Sequence, residues 1–479
     1  VKTRVYLRAD GNAKMGLGHI HRSLALAEML RNDFECHFAI HTPLPGLREL
    51  ILKSCASIID LGDLSQEEEL KYLLELFRPE DVIMLDGYAF KTEYQQRLKN
   101  KGHVLVCIDD LQSYHFVADV VINPAGGVDL SQYSGEAYTK FLCGPAYALL
   151  KPPYLEAARE RGARTGKPSL LICMGGADPD NHTLATLKEK VGQGFDTVYV
   201  IIGEAYVHKK ELSESANAFQ QKIEVLSNLD PRAMAAIMKE CAVAICSASG
   251  VAYEYASVGG ELYIKQTATN QTLLYRYLID AGLAFPIGEF RADEARVKAA
   301  DQQQSRVFDG HSGSRILKVF NRLDFGLNAA LRKATGDDLL KVFEWVNDPE
   351  LRRQSFSTQA VSLENHTKWF TGKLADPATE LYIVEYGHLP IAQVRFDVKP
   401  EAATISYSID ARYRGRGWGQ PVLQLALDAF QKTHRGTKNI VGYVKMNNIG
   451  STKVFQNLGF AQRETNDYPE AYKFELNAS

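Results

Sequence analysis

The sequence predicts an α/β protein in three successive parts, two Rossmann-like domains followed by a smaller α/β domain. Three observations predict it. The chain has 479 residues, too many for one ordinary domain, since domains cluster at roughly 100 to 200 residues. Before residue 290, short apolar runs alternate with Gly-rich or Asp-bearing turns and amphipathic helices, the rhythm of parallel sheets. The composition then shifts: all seven cysteines lie before residue 247, and all three tryptophans (Trp345, Trp369, Trp418) lie after residue 344. The expected divisions are 1–152, 153–290, a polar helix and connector over 291–329, and 330–479.

A content of 45% hydrophobic, 24% charged and 10% aromatic residues is that of a chain with full cores, which excludes disorder as the dominant state. The net charge of −3 argues against a nucleic-acid partner, which requires a phosphate-neutralising excess. Arg8 and Asp10 interrupt the first apolar run before it could serve as a secretory leader, and no stretch approaches the roughly 20 apolar residues of a membrane span. The cysteines are odd in number and scattered, without C-x-x-C, so neither a disulfide framework nor a zinc site is expected. The expectation is a cytoplasmic protein with no membrane partner; the sequence leaves its oligomeric state open.

The elements follow in order. Arg4–Arg8 reads as a strand, followed by the loop Asp10–Gly18 and a helix from about His19 to Leu30 with Ile20, Leu24 and Ala27 on one face. Val82–Leu85 and Val104–Ile108 are strands ending in Asp86 and in Asp109-Asp110. After a Pro-containing hinge at Lys151-Pro152-Pro153 the pattern restarts, with strands at Ser169–Cys173, Thr197–Ile202, Ala242–Cys246 and Leu262–Lys265. Two such series imply two halves facing a cleft, with ligands at the carboxyl ends of the strands.

Chemistry-bearing residues fall at those ends. Gly16 and Gly18 allow close backbone approach at a helix start that favours an anion, with His19 beside them and Arg22 one turn on. Met174-Gly175-Gly176 and Ser247-Ala248-Ser249-Gly250 are loops of the same kind, suited to a diphosphate, and Glu254 is placed to take a ribose hydroxyl pair. Asn270 and Gln271 follow another strand. Each loop alone reads equally well as a routine strand-to-helix turn; their combination favours a binding cleft. Asp109 and Asp110 read as a satisfied strand end rather than a metal pair, and no metal is expected.

Gly16-Leu17-Gly18-His19-Ile20-His21-Arg22, Asp86-Gly87-Tyr88, Ile108-Asp109-Asp110, Ile172–Asp178, Ser247–Gly250 and Asn270-Gln271, in that order, resemble the UDP-sugar hydrolases of pseudaminic acid biosynthesis. These are relatives of the glycosyltransferase that makes lipid II. The resemblance covers about residues 3–285 and implies the two-Rossmann GT-B fold. It also implies hydrolysis of a UDP-2,4-diacetamido-2,4,6-trideoxy sugar to UDP and the free sugar. His19 is then the candidate general base, because a neutral imidazole is suited to take a water's proton near pH 7. Tyr88 would line the sugar pocket, Asn270 would orient sugar or water, and Gln271 would reach diphosphate or sugar. Ser257-Val258-Gly259-Gly260-Glu261 departs from the usual proline-containing approach to the last strand.

The third part opens with the strand Leu331–Thr335 and a helix carrying Leu340, Phe343 and Trp345. The alternating strand Thr404–Ile409 leads to Arg414-Gly415-Arg416-Gly417-Trp418-Gly419 and a helix with Pro421 in its first turn. A basic, Gly-rich loop before a helix offers free amides and the helix dipole to a pyrophosphate, and alone equally describes a solvated turn. About thirty residues later stands Asn448-Ile449-Gly450-Ser451, then Phe455 and Gly459-Phe460. Together these resemble the GNAT acetyltransferases. The resemblance implies that Arg414, Gly415, Arg416, Gly417, Trp418 and Gly419 hold the pyrophosphate of acetyl-CoA as co-substrate. Asn448 and Ser451 would contact its pantetheine arm or adenine end. Strand 404–409 would splay from Ile440–Val444, freeing an amide for the acetyl carbonyl. Phe455 stands where the family's general-acid tyrosine falls, which leaves Tyr443 and Tyr407 as candidates. Trp345, Asn347, Asp348 and Arg352 fall where the acceptor pocket is expected.

The two resemblances interlock, because N4-acetylation of a UDP-4-amino sugar makes the substrate of the hydrolase. The expected function is bifunctional, acetyltransferase then hydrolase. A glycosyltransferase on the same fold, an acetyltransferase acting on another amine, and a non-catalytic nucleotide-sugar sensor are the alternatives.

Overall fold

The computed structural model describes residues 2–11, 16–162, 169–290, 294–437 and 439–477, without the side chains of residues 270 and 294–297. The chain forms two compact units, Val1–Leu317 and Lys318–Ser479. Among the described residues no helix is long and apolar enough to cross a membrane.

The first unit contains two parallel sheets. One has the order Ser57–Asp60, Phe34–Ile40, Thr3–Ala9, Val82–Asp86, Val104–Ile108, Val120–Asn123, Lys140–Cys143. The other has the order Lys222–Ser227, Thr197–Ile202, Ser169–Cys173, Val243–Ser247, Glu261–Lys265, Phe285–Pro286. Central strands such as Val82–Asp86 and Ser169–Cys173 are buried along their whole length, which explains their continuous apolar runs: helices cover both faces. In each sheet the winding direction reverses once. The reversal lies between Thr3–Ala9 and Val82–Asp86 in the first and between Ser169–Cys173 and Val243–Ser247 in the second. Outside the carboxyl ends of those strands a crevice opens without cost to the sheet.

The two sheets meet where Gly126 donates its N–H to the Tyr253 hydroxyl at 2.9 Å. A Cβ on Gly126 would lie 2.0 Å from the Tyr277 ring, so only glycine fits there. Lys151-Pro152-Pro153 is the start of a helix, Pro152–Arg159, whose prolines occupy the first turn, where their missing N–H groups cost nothing. That helix buries Tyr154, Leu155 and Ala157 against the second sheet. The glycine-rich departure at 257–261 also resolves into ordinary structure. Helix Gly250–Val258 ends on Gly259 at φ 97°, and strand Glu261–Lys265 enters the sheet in register with Val243–Ser247.

Residues expected as a connector divide their packing. In the first unit, the buried Gln304 of helix Glu294–Val307 bonds both main-chain groups of Gly260 and the carbonyl of Leu283, and Ser312 donates to the Ala148 carbonyl. The unit boundary falls within helix Ser312–Asn328, where Asn321 and Phe325 belong to the second unit. The Asn321 carbonyl accepts from the Trp418 indole at 2.7 Å, and Phe325 joins that unit's core.

The second unit is one seven-stranded sheet in the order Ala329–Lys333, Thr379–Tyr386, Leu389–Val398, Ala402–Ile409, Asn439–Lys445, Ala471–Asn477, Ala461–Glu464. All its pairings are antiparallel except that between Ala402–Ile409 and Asn439–Lys445. Helices Gly419–Thr433 and Ile449–Asn457 cover one face through Val422, Leu423, Phe430 and Phe455. Val342, Trp345 and Phe370 cover the other.

One glycine that sequence reading passed over shapes a loop of the first unit. A Cβ on Gly203 would fall 2.2 Å from the Gly176 carbonyl oxygen and 2.5 Å from its Cα. Gly203→Ala is expected to destabilise the first unit by about 1–3 kcal/mol, as overpacking does, and urea titration of the purified protein measures it.

Candidate functional site

At the reversal point of the first sheet the site is built around a carboxylate that water does not reach. Asp86 ends a central strand and is 0% exposed. Arg22 meets it with two nitrogens, Nε to Oδ2 at 2.7 Å and Nη2 to Oδ1 at 2.5 Å, and Ser23 donates at 3.3 Å. His19 Nδ1 lies 2.7 Å from Asp86 Oδ1. Burial alone would raise the Asp86 pKa; the charge and hydrogen bonds of Arg22, followed by those of His19, outweigh it and hold the carboxyl below its ordinary range. An ionised Asp86 accepts only, so Nδ1 of His19 carries the proton and donates. Arg22 Nη2, itself only a donor, lies 3.0 Å from the same Nδ1 and makes no hydrogen bond to it in this tautomer, and Nε2 is the nitrogen left to accept, with no hydrogen-bond partner among the described residues.

The surroundings aim this histidine. It sits in the first turn of helix Gly18–Leu30, which has neither a side-chain cap nor an acidic residue in its first turn. Tyr88, 50% exposed, stands edge-on to the imidazole at 4.9 Å between ring centres, and its hydroxyl donates to Asp110 at 3.5 Å. Among the described residues, a Cβ on Gly16 or Gly18 would meet nothing within 4 Å, so no described neighbour requires glycine there for packing. Arg22, expected to touch substrate, instead spends its guanidinium on Asp86 and, through Nη1 at 2.8 Å, on Asp110. Asp109 accepts from the Tyr133 hydroxyl and the amides of Leu111 and Gln112, as a satisfied strand end does. No group of three or more His, Cys, Asp or Glu is arranged to hold a metal among the described residues.

At the reversal point of the second sheet, Gly175 (φ 95°) and Gly176 follow one strand and Ser247–Gly250 follow its neighbour. A Cβ on Gly175 would lie 3.6 Å from Ser247 Oγ, so the two loops adjoin. Ser247 and Ser249 hydroxyls share a hydrogen bond at 2.9 Å. Helix Gly250–Val258 begins without a side-chain cap, so its first amides are available to an anion. Gln271, expected on the ligand, closes its own loop instead, its Oε1 accepting from the Thr267 amide at 2.8 Å. The side chain of Asn270 lies outside the described residues.

In the second unit the parallel pairing runs only from Ala402↔Asn439 to Thr404↔Val441, although the strands continue to Ile409 and Lys445. Beyond that point they splay and leave main-chain groups on the facing edges unpaired with each other. The Gly-rich loop enters helix Gly419–Thr433 with Gly415 at φ 78° and Gly417 at φ 81°, and no side chain caps that helix start. Two expectations change here. Trp418, at 1% exposed, is a core residue beneath the loop and offers a ligand only its backbone. Arg414 turns away to Asp348 Oδ1 at 2.6 Å, Glu350 at 3.3 Å and the Ile409 carbonyl at 2.9 Å, because the capping carboxylate of helix Pro349–Gln354 lies within its reach. Arg416 lies over the faces of Tyr413 and Trp418. Asn448 caps helix Ile449–Asn457 by accepting the Ser451 amide at 3.0 Å.

Asp86, which the sequence marks only as a strand end, is the residue that holds both His19 and Arg22. The available signal was an acidic residue ending a strand beside the strand that leads to Gly16–His19. Glu254, by contrast, carries a readable electrostatic signature. Burial pushes its pKa up to about 7, against the opposing pull of Lys151 and of a hydrogen bond from Tyr154. Folding therefore takes up a proton between the ordinary 4.5 and about 7, and stability falls as pH rises through that window, by at most about 1.4 kcal/mol per pH unit. Glu254→Gln removes this loss. Unfolding titrations at pH 5 and pH 8 are expected to show a smaller pH dependence for the variant than for the parent, and parallel curves would refute the assignment.

Residues 329–461 match the acetyltransferase (GNAT) domain family. An uncharacterized protein of Methanocaldococcus jannaschii is 24% identical over 95% of this chain and 96% of its own length. The UDP-2,4-diacetamido-2,4,6-trideoxy-beta-L-altropyranose hydrolase of Campylobacter jejuni is 28% identical over 39% of this chain and 65% of its own. The spore coat polysaccharide biosynthesis protein SpsG of Bacillus subtilis is 22% identical over 63% of this chain and 88% of its own. Among solved structures, the spermidine N-acetyltransferase of Vibrio cholerae in complex with CoA and spermine aligns with 32% of this chain and 96% of its own, at 16% identity and a TM-score of 0.29. The N-terminal region of the chain is a homologue of the diacetamido-altropyranose hydrolase and of SpsG, and its C-terminal part is a GNAT acetyltransferase domain.

Proposed function

We propose that the chain is a bifunctional cytoplasmic enzyme of pseudaminic acid biosynthesis that works on UDP-sugars. Its GNAT domain transfers the acetyl group of acetyl-CoA to the 4-amino group of UDP-4-amino-4,6-dideoxy-N-acetyl-β-L-altrosamine. Its first unit, in a GT-B arrangement, hydrolyses the resulting UDP-diacetamido sugar to UDP and 2,4-diacetamido-2,4,6-trideoxy-L-altrose. The observation that carries the reading is the His19–Asp86 pair at the reversal point of the first sheet.

UDP is a good leaving group, so the protein mainly has to hold the diphosphate and aim a water. Nε2 of His19 takes the water's proton, while Asp86 fixes the tautomer and stabilises the imidazolium that forms. The open helix start at Gly250, with Ser249, Gly175 and Gly176, accommodates the diphosphate, and Glu254 the ribose hydroxyls. Tyr88 lines the sugar pocket, and Asn270 is assigned to the sugar or the water from its place in the sequence. In the acetyltransferase, the amides of Gly415–Gly419 and the charge of Arg416 hold the pyrophosphate. An unpaired amide in the strand gap stabilises the oxyanion formed when the amine attacks the thioester.

The test is UDP release from the purified chain given the 4-amino UDP-sugar with and without acetyl-CoA, with products identified by mass spectrometry. UDP and a diacetamido sugar are expected only when acetyl-CoA is present. Release without acetyl-CoA uncouples the two steps, and no turnover under either condition removes the pathway. His19→Ala is expected to lower kcat of hydrolysis roughly 10²–10⁴-fold with UDP affinity unchanged, the usual range for loss of a general base. Asp86→Asn should also lower kcat, with retained UDP binding as its folding check. Hydrolysis at the parental rate in either variant would exclude the dyad.

A further inference from the structure

The GNAT resemblance places a general-acid tyrosine where this chain has Phe455, which leaves the proton donor to be assigned. Phe455 is 2% exposed, stacked on Phe474 at 5.2 Å and edge-on to Phe460 at 4.9 Å, so this position is a core position and holds no hydroxyl. Tyr443 donates to Asp467 at 2.7 Å and packs on Tyr468. It alternates along its strand with Gly442 and Val444, and Val444 belongs to the core beneath the two helices, so Tyr443 projects from the opposite face.

Tyr407 is placed differently. It lies three residues past Thr404, the last residue of strand Ala402–Ile409 to pair across the parallel edge, and therefore within the splayed stretch. Its hydroxyl is 3.0 Å from Ser451 Oγ, in the first turn of helix Ile449–Asn457. The same hydroxyl is 3.9 Å from where a Cβ would stand on Gly419, which opens helix Gly419–Thr433 behind the Gly-rich loop. A single phenol thus stands where the strand gap meets the starts of both helices. A thioester whose pyrophosphate rests on the loop and whose carbonyl rests in the gap has to pass this point.

We propose that Tyr407, hydrogen-bonded to Ser451, is the general acid that protonates the departing CoA thiolate. The inference rests on the acetyltransferase reading above. The amine lone pair forms the C–N bond and the carbonyl π electrons move to oxygen. As the carbonyl re-forms, the C–S bond breaks with its electron pair going to sulfur, which takes the proton of Tyr407 Oη. The proton shed by the amine nitrogen then returns through Ser451 and solvent to the phenolate, so amine and thioester become amide and thiol. Burial raises the Tyr407 phenol above its ordinary value, with Ser451 opposing, so the phenol carries its proton at neutral pH.

The experiment uses the full chain, following CoA thiol release with the 4-amino UDP-sugar and measuring acetyl-CoA binding by calorimetry. Tyr407→Phe is expected to lower kcat about 10²-fold with acetyl-CoA Kd within about twofold of the parent, and Ser451→Ala to give a smaller loss. A Tyr407→Phe variant with parental kcat, or one whose whole defect lies in acetyl-CoA affinity, overturns the proposal and leaves the acetyltransferase reading standing. A parent chain that binds acetyl-CoA but releases no thiol overturns both. Should Tyr407→Phe fail to fold, the split between kcat and Kd in Ser451→Ala decides, since a relay partner affects turnover and a mere contact does not.

Discussion

The first site depends on one constraint: Asp86 must stay ionised where water cannot reach it. A lone buried carboxylate would take up a proton. Here two Arg22 nitrogens, a histidine N–H and a serine hydroxyl replace its hydration. Arg22 in turn needs a second carboxylate, Asp110, and Asp110 accepts the hydroxyl of Tyr88, which stands against His19. The cluster is therefore closed, and each member's position is set by the others. Helix Gly18–Leu30 can present His19 only because its next turn carries the counter-charge. A comparable ion cluster stands on the neighbouring strand Thr3–Ala9, where Arg8 meets Glu69 through two bonds of 2.8 Å and Asp10 at 2.8 Å. Asp10 is thus held in place just beyond the carboxyl end of that strand.

The second sheet repeats the architecture without the charge. Its crevice is made of small residues, with Gly175 and Gly176 beside Ser247–Gly250 and Gly203 pressed against Gly176 from behind. Nothing in these loops competes for an anion, and the uncapped helix behind them supplies N–H groups. The contrast is physical: a closed, charged cluster on one sheet and uncharged loops of small residues on the other. Gly126, admissible only as glycine beneath the Tyr277 ring, brings the two sheets into contact.

In the GNAT domain the same economy operates through a strand pair that is allowed to fail. Three residue pairs hold the parallel edge and the remainder splays, which frees backbone groups that a continuous sheet would consume. Gly442 lets the Phe455 ring pack under one strand of the gap, since a Cβ there would stand 2.5 Å from that ring. With Phe455 2% exposed this is a dry core contact, and Tyr407 stands in the splayed stretch beyond Thr404. Arg414, drawn to Asp348, ties the Gly-rich loop to the segment where an acceptor pocket was expected.

Local chemistry made much of this legible in the residues alone. Apolar runs closed by Gly or Asp located three of the seven strands of the first sheet and four of the six of the second to within a residue or two, because a strand buried on both faces must be continuously apolar. Gly16–His19, Ser247–Gly250 and Arg414–Gly419 announced themselves because glycine beside a helix start is a backbone requirement written into composition. What the tertiary structure decided was where each long side chain spent its charge. Arg22, Arg414 and Gln271 all stand in loops or helix turns that invite a ligand, yet each is taken by a partner distant in sequence or by its own loop: Asp86 is 64 residues away and Asp348 is 66. Trp418 likewise lies in the loop by sequence and in the core by packing. A backbone motif is set by neighbours along the chain, whereas the partner of a guanidinium is set by which strand ends the sheet order brings together, and only folding determines that order.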